Sequence, residues 1–228
     1  MTLGKDLKEV DKFISKLDLT PVKKSSNKSR LFFGLDATAS REHTWDAASH
    51  IQVNMFDVVS KLGGINIQVG CYRGYKEFLV SNWASHSSEL ISFMTKISCR
   101  SGHTQINRIL SHILKESANN KVNASIFIGD SIEENPSEIL KIGGKLSLLG
   151  IPLFIFQEGN NPLATEVFVS LAKITRGAHC NFDNNSPERL EKLLEAVAIY
   201  ASGGKEAIKR FSRLNGEDLN VITKRLIK

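Results

Sequence analysis

From Arg30 onward, short runs of consecutive apolar residues alternate with longer stretches in which apolar residues return every third or fourth position. A short apolar run bounded by turn formers reads as a buried strand, and the three- to four-residue return reads as an amphipathic helix. Leu31–Leu35 is such a run, and it ends at Asp36. Thr44–Leu62 carries Trp45, Ala48, Ile51, Met55, Val59 and Leu62 at helical spacing, and Gly63-Gly64 stops it. Ile65–Tyr72 and Tyr75–Val80 are predicted strands, joined into a hairpin by a tight turn at Arg73-Gly74. Helices are predicted over Ser87–Ile97 and Thr104–Ser117, with a loop at Cys99–His103 between them. Strand Ala124–Ile128 leads to Asp130, and helix Pro136–Leu149 is closed by Gly150. Ile151–Phe156 is the clearest buried strand. Helix Pro162–Thr175, strand His179–Phe182 and helix Pro187–Ala201, capped by Gly203-Gly204, complete the body.

Strands alternating with helices in this way imply an α/β fold. We expect a doubly wound, mostly parallel six-stranded sheet with one antiparallel edge strand and helices on both faces. Its crossovers should be right-handed, and its binding site should lie at the carboxyl ends of the strands, near the point where strand order reverses. Three segments follow from the pattern. Residues 1–29 are an N-terminal amphipathic helix, with Leu3, Leu7, Val10, Ile14 and Leu17 on one face, and a polar linker. Residues 30–202 are the α/β domain. Residues 203–228 are a basic helical extension with Ile208, Phe211 and Leu214 at helical spacing.

Composition narrows the class. The 228 residues are 41% hydrophobic and 24% charged, which is globular and excludes disorder, collagen-like repeats and a disulfide scaffold. A chain of this size buries about 70% of its unfolded surface and needs no staples. The longest apolar stretch, Leu148–Phe156, is far below the ~20 residues a bilayer requires. No apolar segment near the N-terminus resembles a secretory signal. Cys71, Cys99 and Cys180 are odd in number and far apart, which suits reduced thiols and a cytoplasmic setting. The formal charge of +6 is uneven: residues 1–30 and 203–228 each carry +4, and residues 31–202 carry −2. The basic character therefore belongs to the two ends, which read first as solvated arms.

The candidate chemistry sits where the fold rule points. Asp36-Ala37-Thr38-Ala39-Ser40 leaves the first strand. In an extended segment its carboxylate and two hydroxyls face one side. Three hard oxygen donors suit Mg²⁺, Mn²⁺ or Ca²⁺ rather than zinc. A further hydroxyl comes from Thr104 in Ser101-Gly102-His103-Thr104, and a further carboxylate from Asp130 in Ile128-Gly129-Asp130. Each alone reads as a helix cap or a turn residue. Three in this order, each at a strand end or helix start, point to one site.

These residues resemble the metal-ion-dependent adhesion site of the von Willebrand factor type A domain, through Asp36-x-Thr38-x-Ser40, Gly102-x-Thr104 and Asp130. The resemblance covers about residues 30–202 and is strongest to short stand-alone bacterial members. It implies that Thr38, Ser40 and Thr104 ligate a dication directly, Mg²⁺ first and Mn²⁺ or Ca²⁺ as alternatives. Asp36 and Asp130 would anchor the site largely through water. One coordination position would stay open for an Asp or Glu carboxylate of a protein partner. Related stand-alone domains often act as adaptors beside ATPases or chaperones. Where many relatives have Thr-Asp-Gly, this chain has Gly129-Asp130-Ser131 followed by Glu133 and Glu134, acids that would either tighten metal binding or repel an acidic ligand.

Around this set, Arg41, Trp45, His103, Glu133 and Glu158 are the candidate rim for partner contact, although a Trp on a helix is more often core. His103 and His43 have nothing nearby to complete a zinc site. The function expected is a metal-dependent, non-enzymatic protein-binding module. The chain has no phosphate-binding glycine loop, no dinucleotide fingerprint and no nucleophile elbow. Nucleic-acid binding through the basic ends is the alternative, but no aromatic residues interleave with their lysines. A metal-dependent phosphohydrolase is a third reading, weakened because position 38 is Thr where the general acid would be needed.

Overall fold

Eight residues leaving Lys28 form the central strand β1 (Ser29–Asp36), whose last six are buried on both faces. A strand covered on both sides reads as a continuous apolar run, and that is why Leu31–Leu35 lacks polar alternation. The computed structural model describes residues 28–42, 45, 56, 65–182 and 193–201. The remaining strands are β2 (Ile65–Arg73), β3 (Glu77–Val80), β4 (Ala124–Gly129), β5 (Leu153–Glu158) and β6 (His179–Phe182). They form one six-stranded sheet in the order β3-β2-β1-β4-β5-β6. All neighbours are parallel except β2 and β3, an antiparallel hairpin on one edge. The expected α/β, mostly parallel sheet with one antiparallel edge strand is the observed one.

The helices are α1 (Ser87–Met94), α2 (Ile106–Asn119), α3 (Pro136–Leu148) and α4 (Pro162–Ile174), with residues 193–201 also helical. Asn135 and Asn161 start α3 and α4: their side chains accept from the N–H groups of Ser137 and Ala164, and each is followed by Pro at the first helical position. Alternation along β1 divides the core. Leu31, Phe33 and Leu35 face a layer with Leu90, Met94, Phe154, Leu194 and Tyr200. Phe32 faces the other layer, with Tyr72, Ile109, Phe127, Leu146 and Phe168. Burying each such large side chain contributes about 1.5–3 kcal/mol.

Several boundaries differ from the sequence pattern for local reasons. Pro152 has no N–H to give the ladder, so β5 begins at Leu153, while the Pro152 carbonyl still accepts from Ser125. The second long helix begins at Ile106 because Thr104 is engaged with another loop. The edge strand continues irregularly past Val80. Gly70 pairs with Val80, yet Ile67 bridges Ala84, so four steps along one strand answer three along the other. The extra residue makes a β-bulge between Val80 and Ala84.

Of the 44–62 helix only Trp45 and Phe56 are described, and both are helical and buried. The N-terminal helix, its linker up to residue 27, residues 187–192 and the C-terminal extension lie outside the described residues. Among the described residues no helix is long and apolar enough to cross a membrane.

Candidate metal and partner site

Strand order reverses at β1, whose two neighbours, β2 and β4, run on to different loops. That reversal opens the crevice at which doubly wound folds place ligands. Asp36 is the last residue of β1, and β4 ends beside it at Gly129. A Cβ at Gly129 would lie 2.8 Å from the Phe127 ring and 3.4 Å from the Asp36 Cβ. Glycine there lets the two strand ends close upon each other.

The five residues from Asp36 curl into a turn that gathers their oxygens. Thr38 donates twice to Asp36 Oδ1, from its backbone N–H at 2.8 Å and its hydroxyl at 2.6 Å. Thr38 Oγ1 lies 3.1 Å from Ser40 Oγ. Residues Ala39–Arg41 form a single 3-10 turn. Asp36 is fully buried, Thr38 nearly so, and Ser40 is exposed. The oxygens thus run as a line from the sheet interior to the surface. On the other side of the carboxylate, the Tyr72 hydroxyl donates to Asp36 Oδ2 at 2.7 Å. Burial raises the Asp36 pKa. The Thr38 hydrogen bonds, the nearby Arg41 charge and the Tyr72 hydrogen bond pull the other way without cancelling it. The buried Tyr72 phenol is pushed well above its ordinary value, by burial first and then by Asp36, with Glu134 and Asp130 adding to it. Three carboxylates therefore send their fields onto one buried hydroxyl.

The second segment lies alongside the first. Arg100 forms a parallel bridge with Thr38, and its N–H donates to the Ala37 carbonyl at 3.0 Å. Gly102 packs directly on the hairpin turn, where a Cβ would fall 2.0 Å from the Gly74 carbonyl oxygen. Thr104 and the Asp130 loop then lock reciprocally. The Thr104 N–H donates to Glu133 Oε2 at 3.0 Å, and the Glu133 N–H donates to Thr104 Oγ1 at 2.8 Å. His103 Nδ1 lies 2.9 Å from the same Glu133 oxygen. Glu134 accepts from the N–H groups of Ile106 at 2.5 Å and Asn107 at 2.8 Å, capping α2 from outside its own chain segment. Asp130 Oδ1 accepts from the Ser131 hydroxyl at 3.2 Å.

Asp36, Thr38 and Ser40 are thus joined directly, and Thr104 is joined to the loop that carries Asp130. Among the described residues no three His, Cys, Asp or Glu side chains group as a metal cluster. A dication here would depend on hydroxyl oxygens. The expected rim needs correction. His103 and Glu133 are exposed, but Arg41 is fully buried, Trp45 is 7% exposed and Glu158 9%. Arg41 turns inward, with Nε donating to Glu158 Oε2 at 2.9 Å and Nη1 to the Asp36 carbonyl at 2.8 Å. Its guanidinium centre lies 5.9 Å from the Trp45 ring centroid. A buried cation needs such partners, and they hold all three side chains beneath the site. Glu134 likewise serves a helix end. Tyr72 was not legible as a site residue. Its signal is positional: it pairs with Asp36 across β1 and β2.

No protein-family model and no curated protein matches the sequence. Solved structures do match in fold. A von Willebrand factor type A protein from Catenulispora acidiphila aligns with a TM-score of 0.61 at 14% identity, covering 78% of this chain and 44% of that one. The SpRpn10 VWA domain aligns at 0.58 and 14% identity, covering 73% and 93%. The human COPII-coat protein Sec24c aligns at 0.58 and 10% identity, covering 78% and 32%. The chain thus spans less than half of the first and third of these proteins.

Proposed function

We propose that this chain, which has the von Willebrand factor type A fold, is a protein-binding module whose strand-end site takes a divalent cation and, through it, a carboxylate of a partner. The carrying observation is the oxygen line from buried Asp36 through Thr38 to exposed Ser40 at the strand-order reversal. The donor set fits a hard cation: carboxylate and hydroxyl oxygens, with no sulfur among the side chains named in the site. Thr38, Ser40 and Thr104 would hold the ion, with Asp36 and Asp130 beside them. The ion would supply an open coordination position that an Asp or Glu side chain of another protein completes. Mg²⁺ is the first choice of ion, and Mn²⁺ and Ca²⁺ are the alternatives.

The protein's own groups contribute preorganisation. Tyr72 and Thr38 fix both oxygens of the Asp36 carboxylate. Glu133 fixes the Thr104 hydroxyl from its backbone N–H, leaving that oxygen a second lone pair. Raising the Asp36 pKa by burial means a nearby positive charge is welcome. Binding rather than turnover suits the site, since Thr38 offers no general acid. Cys71, Cys99 and Cys180 are thiols in no disulfide, in keeping with action in the reducing cytoplasm.

The test is a capture experiment from source-cell extract, using wild type in Mg²⁺, wild type in EDTA, and the Asp36→Ala/Thr104→Ala variant in Mg²⁺. Prey retained only by wild type with metal is the expected result. The same prey in all three lanes would sink the reading.

A further inference from the structure

Next to the candidate site lies a surface that neither the motif nor the fold assigns. Tyr75, at the tip of the β2–β3 hairpin, is 74% exposed, the most exposed aromatic among the described residues. Its ring meets that of His103 edge-on, with centroids 5.5 Å apart. His103 directly precedes Thr104, so the aromatic pair borders the site.

This tip is held rigidly. Gly74 turns with φ +56, and its N–H donates to the Arg100 carbonyl at 3.4 Å. Gln105 Nε2 donates to the Gly74 carbonyl at 3.1 Å, and Gly102 packs against the same carbonyl. Arg108 Nη1 reaches across from α2 to the Lys76 carbonyl at 2.7 Å. A large aromatic fixed in place before binding loses little freedom on contact, which is what makes tyrosine an effective anchor.

The charges around the tip are mostly of one sign. Lys76 is exposed, the Arg100 side chain is 54% exposed, and Arg108 approaches from the helix. Arg73 is nearly buried and pairs with Glu77 at 2.9 Å, and Arg100 pairs with the same carboxylate at 2.7 Å. Glu77 is shared between two arginines, so the tip carries four cations against one acid. On the far side of His103, Glu133 supplies the opposite sign.

We propose that this tip, Tyr75 with His103, Lys76, Arg100 and Arg108, is a second recognition surface for the same partner. It fits an acidic protein segment bearing an apolar or aromatic residue. One carboxylate would enter the strand-end site, the apolar residue would pack on Tyr75, and further acids would meet Lys76 and Arg100. This deepens the function proposed above and rests on it for the first carboxylate only. A nucleic acid would find the cations but a single exposed aromatic platform. It would also meet the carboxylates of Asp130 and Glu133 beside it.

The test uses the full-length chain and three fluorescent probes: acidic peptides containing Phe or Leu, the same peptides with Asp and Glu changed to Asn and Gln, and a single-stranded RNA. Acidic peptides should bind best. Tyr75→Ser and Lys76→Glu, both on an exposed turn, should each weaken that binding by about tenfold while the thermal midpoint stays at the wild-type value. Unchanged affinity in Tyr75→Ser, no preference for the acidic peptides, or no peptide binding at all would overturn the proposal. A Tyr75-dependent preference for RNA would also overturn it, in favour of nucleic acid. Binding lost in Tyr75→Ser but indifferent to EDTA and to Thr104→Ala would leave this surface standing and remove the metal-dependent reading instead.

Discussion

Arg41 shows how much a single side chain underneath the site can hold. It has no exposed surface, and it ties the turn after β1 to the end of β5 through Glu158 and the Asp36 carbonyl. Its pairing is a condition of its burial, so removing the guanidinium takes the 2.9 Å ion pair away from a nearly buried Glu158 carboxylate. Arg41→Ala is expected to destabilise the protein by about 3–5 kcal/mol, read as a lower urea midpoint. Arg41→Lys should recover only part of this, because an ammonium cannot address both acceptors with the same planar fork. A midpoint within error of wild type for Arg41→Ala would show that the ion pair carries no stability. Position 41 illustrates a limit of sequence reading. An arginine directly after a polar motif looks like a surface residue, and only the return of the chain at Glu158, 117 positions later, makes it an interior one.

At the scale of elements, α2 is clamped at both ends by residues from elsewhere. Glu134 caps its start. Toward its far end Arg30 pairs with Glu116 at 2.7 Å. At its middle His112 packs against Phe32 and Phe78, each with ring centroids 5.3 Å away, and lies 2.9 Å from Gln68 Oε1. The Gln68 amide donates to the Ser81 carbonyl, so its oxygen faces the imidazole and His112 Nε2–H is the donor. Burial lowers the His112 pKa. The Glu116 carboxylate opposes that, and Lys115 and Arg30 reinforce it. A histidine whose folded pKa is depressed binds protons more readily in the unfolded chain. Its stabilising contribution is therefore complete above the ordinary value of about 6.5 and is lost as pH falls through the folded value. Wild type should lose more stability than His112→Gln between neutral and mildly acidic pH in parallel urea titrations. Equal losses would remove His112 as the source. Elements with local signals were legible here. Asn135-Pro136 and Asn161-Pro162 announce helix starts through a cap and a fixed φ, and Gly150 announces an end. The start of α2 was misplaced by two residues because its cap comes from Glu134, a contact that no neighbouring pattern encodes.

For the whole molecule, the alternation of buried runs and helical stretches was enough to specify the layered architecture and the sheet edge at which Asp36, Thr38 and Ser40 lie, since crossover geometry leaves few alternatives. The depth of each site residue was not legible, because depth depends on which loops return over a strand end. The motif residues Asp36 and Thr38 are buried with Arg41 and Trp45 beneath them, while Ser40, His103 and Glu133, and Tyr75 and Lys76 on the hairpin tip, are exposed. A cation held only by the native state must stabilise it. Saturating Mg²⁺, at ~100 times its dissociation constant, should raise the unfolding free energy by about 2.7 kcal/mol, reversed by EDTA and absent in Asp36→Asn. No shift in the thermal midpoint of wild type would mean that the folded chain does not hold the ion.

The bulge beyond Val80 has a consequence away from any ligand. An outer strand with an uninterrupted row of N–H and C=O groups invites another chain to add to the sheet. Here β3 is four residues long, follows Lys76, opens on Glu77, and loses its register at the extra residue before Ala84. A short edge flanked by charges and ending in a bulge disfavours the addition of another strand on this side of the sheet.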